Sequence, residues 1–360
     1  MDIIYNKSGF AACVVGAVKC DNQKIPLNDY ISKIMENSIH NKNTITAEIK
    51  ISNHLKKKYN KKIINKYFSL VDYTCPLKYP KSITKCNLDS KKKYKILYSK
   101  NAGCKPISKK SKIFIKTNNL KSLKTIYIDN IFNNNIISKN KKYNKSLIIR
   151  KCGTLNASDG KIMEMCFSNK YRKKNIRKIL EMVKLLSDAN VIQFDIKEGN
   201  LITTSNIEIR LIDFGTSLLG TIFDDINIYD DNDLIIHTIF TSKLIGWTYY
   251  YLSPELSILL EFYKNKYIDK ITMFNIIYKK LNDTFTNTYF DSLNYNELVN
   301  LVDFAFNNKK EFIKMIFLNK EIFKTDVYST GMVLYNIIKY LLSLKNIELN
   351  LTDIEKYKYN

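Results

Sequence analysis

The sequence predicts an α+β protein, and two kinds of hydrophobic pattern support that class. Residues 207–211 alternate apolar and charged side chains, which is the period-two pattern of a half-buried strand. Residues 171–190 and 333–341 repeat apolar side chains at helical spacing instead. A chain of 360 residues can bury roughly three-quarters of its extended surface, so a stable core needs no cross-links.

The N-terminal part predicts one helix among several strands. Residues 8–20 form an apolar stretch that predicts strands, and a turn-like stretch at 22–28 leads into a further strand around 31–35. Residues 44–58 carry apolar side chains on one side of a predicted helix. The next strand is predicted at residues 68–74.

A stretch rich in Lys, Asn and Ser follows these elements. Residues 105–145 contain scattered apolar side chains without a sustained period, which predicts a surface insertion between strands. Residues 146–150 then predict a short strand at the end of the insertion.

Two short motifs around a predicted hairpin carry the chemistry. The first contains Asp195, Lys197 and Asn200, and the second is Asp213-Phe214-Gly215, which begins 13 residues after Asn200. Residues 201–211 between them predict two strands joined by a turn. Carboxylate and amide oxygens beside a lysine are groups that can hold a metal-bound nucleotide phosphate. Neither motif is specific alone, but their order and spacing make the combination informative.

The order of helix, loop, hairpin and aspartate resembles that of the eukaryotic-type protein kinases. More narrowly, the chain looks like the divergent serine/threonine kinases of large DNA viruses. Residues 253–255 are similar to the motif that ends the family's activation segment. Residues 326–331 resemble the start of its central buried helix, and the resemblance implies that Asp326 braces the backbone of the catalytic loop. The resemblance extends from residue 9 to residue 331 and is closer in the C-terminal half.

This resemblance implies a bilobal, protein-kinase-like α+β fold. Residues 1–152 would form a small, mostly β N-terminal lobe with one helix, including the insertion around 105–145. Residues 153–360 would form a larger, mostly α C-terminal lobe with a shortened C-terminus. A helical insertion around 258–322 is inferred because the motifs on either side of it lie farther apart than in typical family members.

The same resemblance implies a role for each residue of the two motifs. Asp195 would accept or orient the proton of the attacking hydroxyl, and Lys197 would lie beside the γ-phosphate of ATP. Asn200 and Asp213 would hold Mg²⁺, a hard cation that prefers oxygen ligands. A lysine two positions after the aspartate is the serine/threonine form, so proteins carrying Ser or Thr are the expected substrates.

Further nucleotide contacts are expected in the N-terminal part. Gly9 lies where the family's phosphate-covering loop would be, although a buried strand is the alternative for that stretch. Lys33 is favoured as the nucleotide-contacting lysine over Lys19, which lies too close to Gly9 for the intervening strands. Glu48 is the expected ion-pair partner of Lys33, with a surface glutamate as the alternative. The expected hinge residues are Lys151 and Cys152.

Three departures from the family pattern matter. Gln193 and Phe194 stand where the family usually has His and Arg, so the usual partner of an activation-loop phosphate is missing. No arginine follows Arg210 to pair with Glu255. The short C-terminus is the third departure. A catalytically weak or inactive pseudokinase scaffold is therefore the alternative function, and small-molecule kinases of related fold remain a further one.

The formal net charge of +24 raises nucleic-acid binding as another alternative. Lysines are spread along the whole chain, and only four arginines occur, at 150, 172, 177 and 210. A dedicated nucleic-acid binder more often uses arginine, so coding bias explains the charge better.

Cysteine usage predicts an intracellular, reducing compartment, such as the host cytoplasm or the virion if the protein is viral. The seven cysteines are odd in number and include no C-x-x-C pair, which suits free thiols. No apolar run is long enough for a membrane helix, and residues 9–18 do not have the flanks of a signal peptide. The three histidines lie far apart, so a zinc site is not expected.

Overall fold

The protein is a mixed α+β chain with a small antiparallel sheet and several helices. Its described part divides into two compact units. The sheet unit lies within Met1–Asn37, Lys62–Ile179 and Glu198–Ile212, and the helical unit lies within Ser38–Lys61, Leu180–Lys197 and Asp213–Asn360. The computed structural model describes residues 4–7, 12–20, 25–78, 83, 86, 88–100, 113–114, 146–147, 154–155, 161–204, 206–223, 251–265, 267–284, 292–318 and 321–343.

Five antiparallel strands form the main sheet of the sheet unit, in the order β1-β2-β3-β5-β4. Their inner face packs around buried side chains such as Val15, Ile34 and Ile96, which are at most 1% exposed. Burial of these apolar side chains is the main stabilising term for the sheet. The strands are β1 (Ile4–Lys7), β2 (Ala12–Gly16), β3 (Tyr30–Glu36), β4 (Val71–Leu77) and β5 (Tyr94–Lys100).

Among the described residues of this unit there are two disulfides, which differs from the expectation of free thiols. They join Cys13 to Cys86 and Cys20 to Cys75, at sequence separations of 73 and 55 residues. Cys166 is a buried free thiol, and burial raises its pKa to about 12. The reducing compartment stays a prediction.

The sheet unit also contains short helices and two small pairs of strands. The helices are α2 (Lys61–Tyr67), α3 (Lys161–Cys166) and the first part of α4 (Arg172–Asp188), and the strand pairs are β6 (Ile113–Phe114) with β7 (Ser146–Leu147) and β9 (Leu201–Thr203) with β10 (Ile209–Leu211).

The core of the helical unit is built mainly from successive helices between residues 254 and 318. Ile258, Leu259, Met273, Phe312 and Ile313 are fully buried in it. Its elements are α1 (Ile39–Lys58), the end of α4, β8 (Val191–Ile192) paired with β11 (Leu218–Leu219), α5 (Pro254–Lys264), α6 (Lys270–Thr284), α7 (Ser292–Asn307), α8 (Lys309–Leu318) and α9 (Lys324–Ser343).

Most predicted elements occur where the patterns placed them, including α1, α4, β3 and the β9–β10 hairpin. The strand predicted from residue 68 begins at Val71 instead, because Phe68 makes only an isolated bridge with Leu211 after α2 ends. Burial of α9 was overestimated, since Ile338 is 42% exposed.

No helix among the described residues is long and apolar enough to cross a membrane. The predicted boundary between residues 152 and 153, and most of the 105–145 insertion, lie outside the described residues.

Candidate active site

The loop after β8 carries the predicted catalytic pair in the helical unit. The Lys197 Nζ lies 2.8 Å from Oδ1 of Asp195, and both side chains are partly buried. An ion pair between residues two apart forms only where the backbone puts both side chains on the same side, so the conformation of the loop decides whether the pair forms. The structure therefore brings Asp195 and Lys197 together as a carboxylate next to a cation.

A buried carboxylate on α9 holds the backbone of this loop. Asp326 is 3% exposed, and its two oxygens accept the N–H groups of Gln193 at 2.7 Å and Phe194 at 3.0 Å. Burial raises the pKa of Asp326 to about 7, while the two N–H donors act in the opposite direction. The bracing contact implied by the family pattern is thus present in the structure.

The side-chain amide of Gln193 connects the two motifs. Its Nε2 donates to the backbone oxygen of Asp213 at 2.9 Å, and its Oε1 accepts the N–H of Asp195 at 2.6 Å. The Gln193 side chain is fully buried. Sequence reasoning treated this residue only as a departure from the family pattern and missed its contacts. The available signal was a polar residue between the apolar strand β8 and Phe194.

The backbone at both motifs has an uncommon conformation. Phe194 and Asp213 both have φ of 61°, in the left-handed region that non-glycine residues rarely adopt. Each such residue costs on the order of 1–3 kcal/mol and persists where its surroundings fix it. Here the surroundings are the bonds to Gln193 and Asp326 and the burial of the Phe194 and Phe214 rings.

Helix α1 packs directly against the second motif. A Cβ added at Gly215 would overlap Cγ2 of Thr44, so the absence of a side chain at Gly215 permits this approach. The same helix is held at its other end by two contacts to the α4 end. His54 Nε2 lies 2.7 Å from the Ala189 oxygen, and the Tyr59 hydroxyl donates to the Leu185 oxygen at 2.7 Å.

Asn200 lies in the sheet unit, at the entrance of the β9–β10 hairpin. Its side chain is buried, and its backbone oxygen accepts the N–H of Ile212 at 2.9 Å. Leu201 pairs with Leu211 in the hairpin. The hydrogen bond between Ile212 and Asn200 therefore extends the hairpin by one residue pair beyond its strands, up to the residue before Asp213.

Lys33 and Glu48 are placed in different units. Lys33 lies at the centre of the main sheet, paired with Val14 on one side and Leu97 on the other. Glu48 lies on α1, where it is 5% exposed, so it is not a surface glutamate. An ion pair between Lys33 and Glu48 stays a prediction. The remaining predicted nucleotide contacts, Gly9, Lys151 and Cys152, lie outside the described residues.

The donor set suits an oxygen-seeking cation. Among the described residues no group of three or more His, Cys, Asp and Glu side chains converges on one point. The predicted ligands Asn200 and Asp213 lie in different units, and one offers an amide oxygen and the other a carboxylate. Mg²⁺ prefers oxygen ligands and keeps several waters, so these residue types suit it better than they suit zinc.

Comparison with known proteins adds no assignment, since neither a family model nor a curated protein matches this chain.

Proposed function

We propose that this chain is a bilobal protein kinase that uses ATP and Mg²⁺ to phosphorylate Ser and Thr hydroxyls of protein substrates. One observation carries the proposal: the Asp195–Lys197 ion pair lies on a loop that is held by hydrogen bonds. Its backbone donates to Asp326, and the Gln193 side chain links it to Asp213. Phosphoryl transfer requires positioning and charge neutralisation more than covalent chemistry from the protein. A carboxylate next to a lysine, held at fixed positions, meets that requirement.

In the proposed reaction, the substrate hydroxyl oxygen forms a bond to the γ-phosphorus. The bond between that phosphorus and the β–γ bridging oxygen breaks, and ADP leaves. Asp195 accepts the hydroxyl proton. Lys197 orients the Asp195 carboxylate through their 2.8 Å contact and offsets negative charge on the transferred group.

Asn200 and Asp213 would hold Mg²⁺, which when bound neutralises charge on the β- and γ-phosphates. Lys33 would contact the α- and β-phosphates and Glu48 would orient it. The other proposed nucleotide contacts are Gly9, Lys151 and Cys152.

A transfer assay with γ-labelled ATP and a mixture of Ser/Thr-containing proteins tests the proposal. Asp195→Asn should lower the rate by roughly 100-fold or more, because the proton acceptor is lost. Asp303→Asn is the matched control, since Asp303 forms an exposed ion pair with Lys270 that is also 2.8 Å long. The control should keep the wild-type rate. Equal signal from wild type and Asp195→Asn would reveal contaminating activity and reject the proposal.

Melting shifts with Mg·ATP separate the alternatives. A ligand that binds only the folded state raises the melting temperature with concentration, and Asp213→Ala should abolish the Mg²⁺-dependent part. A shift without transfer would identify a pseudokinase scaffold. If neither occurs and RNA or DNA binding falls steeply with salt, the chain is a nucleic-acid binder.

A further inference from the structure

Every polar group of Gln193 has a partner within the helical unit. Its side-chain amide bonds Asp195 and Asp213, and its N–H donates to Asp326. Its backbone oxygen accepts the hydroxyls of Thr216 at 3.1 Å and Ser217 at 3.4 Å. One buried residue therefore joins the loop before the hairpin, the segment after it, and α9.

The two amide contacts require one donor and one acceptor at the same side chain. The Asp213 backbone oxygen can only accept a hydrogen bond, and the Asp195 N–H can only donate one. A primary amide supplies both, about 2 Å apart, and does not titrate. A glutamate at this position would keep the acceptor and lose the donor, and a methionine would lose both.

We propose that Gln193 is a positioning residue that sets the orientation of Asp195 relative to Asp213. Gln193 acts through the backbones of these residues and does not touch a substrate itself. Both backbones need such support, because φ is positive at Phe194, which precedes Asp195, and at Asp213 itself. The inference rests on the proposed kinase function, since its consequence is measured on phosphoryl transfer.

The test compares Gln193→Met and Gln193→Glu with a matched buried amide elsewhere. Asn175 is also fully buried, and its Nδ2 donates to the backbone oxygens of Cys166 at 2.8 Å and Ile207 at 3.1 Å. Asn175→Leu therefore removes a comparable buried amide that makes no hydrogen bond to Asp195 or Asp213. All variants are assayed below their own melting onset, so that each chain is folded.

We expect Gln193→Met and Gln193→Glu to lower kcat about 10- to 100-fold, the usual range when a residue that orients a ligand or catalytic group is lost. The KM for ATP should change less than about threefold, because nucleotide contacts are kept. Gln193→His, assayed at pH 8, should restore most of kcat, since neutral imidazole has one donor and one acceptor. Asn175→Leu should keep the wild-type kcat.

Two results would overturn the inference while leaving the proposed function standing. One is an active wild type with unchanged kcat in Gln193→Met and Gln193→Glu. The other is an equal loss of kcat in Asn175→Leu, which would assign the effect to general destabilisation. Should Gln193→Met fail to fold, Gln193→Glu carries the same expectation. A wild type without any transfer would overturn both proposals together.

Discussion

The main sheet and the loop that carries Asp195 are held in place by different forces. The sheet depends on many strand contacts, an apolar core and two disulfides, each of which contributes a part of its stability. The loop depends on a few polar contacts centred on Gln193 and Asp326. Substitutions in the sheet should therefore act gradually on stability, whereas single substitutions beneath the loop should act strongly and locally.

Replacing Asp326 with alanine is the strongest way to test this contrast. The change leaves the buried N–H groups of Gln193 and Phe194 without their acceptor, which should cost about 3–5 kcal/mol in all. Urea unfolding measures the loss. Asp303→Ala, at an exposed ion pair, should change stability by less than about 1 kcal/mol. Equal losses at the two positions would contradict the contrast.

The same carboxyl predicts a pH dependence. Burial raises the pKa of Asp326 from 3.8 to about 7 in the folded protein, so the folded state retains a proton that the unfolded chain releases near pH 4. The associated stability is fully present below pH 3.8 and is lost as the pH rises through 7. The urea midpoint of wild type relative to that of Asp326→Asn, measured from pH 4 to 8, should therefore fall as the pH rises through 7. A constant difference would contradict the raised pKa.

In the sheet, reduction of the disulfides should have the next largest effect. Each bridge closes a long loop, so its loss should cost about 2–4 kcal/mol, mostly through the unfolded state. Cys13→Ser and Cys20→Ser, made separately, should each lower the urea midpoint of oxidised protein, and the double variant should no longer respond to reductant. Cys166→Ala is the control without a bridge. Identical midpoints with and without reductant would show that neither bridge stabilises the sheet.

Gly215→Ala tests the packing of α1 against the second motif. The added Cβ would overlap Cγ2 of Thr44 and approach Oδ1 of Asp213 to 3.3 Å, which should cost about 1–3 kcal/mol. Thr44→Ser removes the overlapping methyl group and should recover most of the loss in the double variant. A double-mutant cycle with urea unfolding measures this coupling. Additive effects would mean that the cost of the alanine does not come from the Thr44 methyl group.

Local patterns predicted the fold better than they predicted the connections within the site. Helices α1 and α4 and the β9–β10 hairpin were predictable because each depends on the period of its own residues. The 2.8 Å contact between Asp195 and Lys197 was not predicted, because it depends on the backbone conformation of the loop. The brace from Asp326 was expected only through the family resemblance.

The contacts of Gln193 could not be read from the sequence, because they join residues 20 and 133 positions away with no periodic signal. The disulfides were missed for a related reason. Seven cysteines allow many pairings, and only the sheet register brings Cys20 on the β2–β3 connection to Cys75 on β4. Long-range polar and covalent contacts depend on tertiary structure that single-sequence patterns do not contain.

Gly331→Ala should have the smallest effect, and the opposite sign to Gly215→Ala. Gly331 lies inside α9 and is exposed, and a Cβ added there would have no described atom outside its own helix within 4 Å. Alanine should therefore stabilise the protein by about 0.5–1 kcal/mol, because it restricts the unfolded chain and favours the helix. Urea unfolding of the two glycine variants side by side measures both signs. A loss of stability at Gly331 would contradict this prediction.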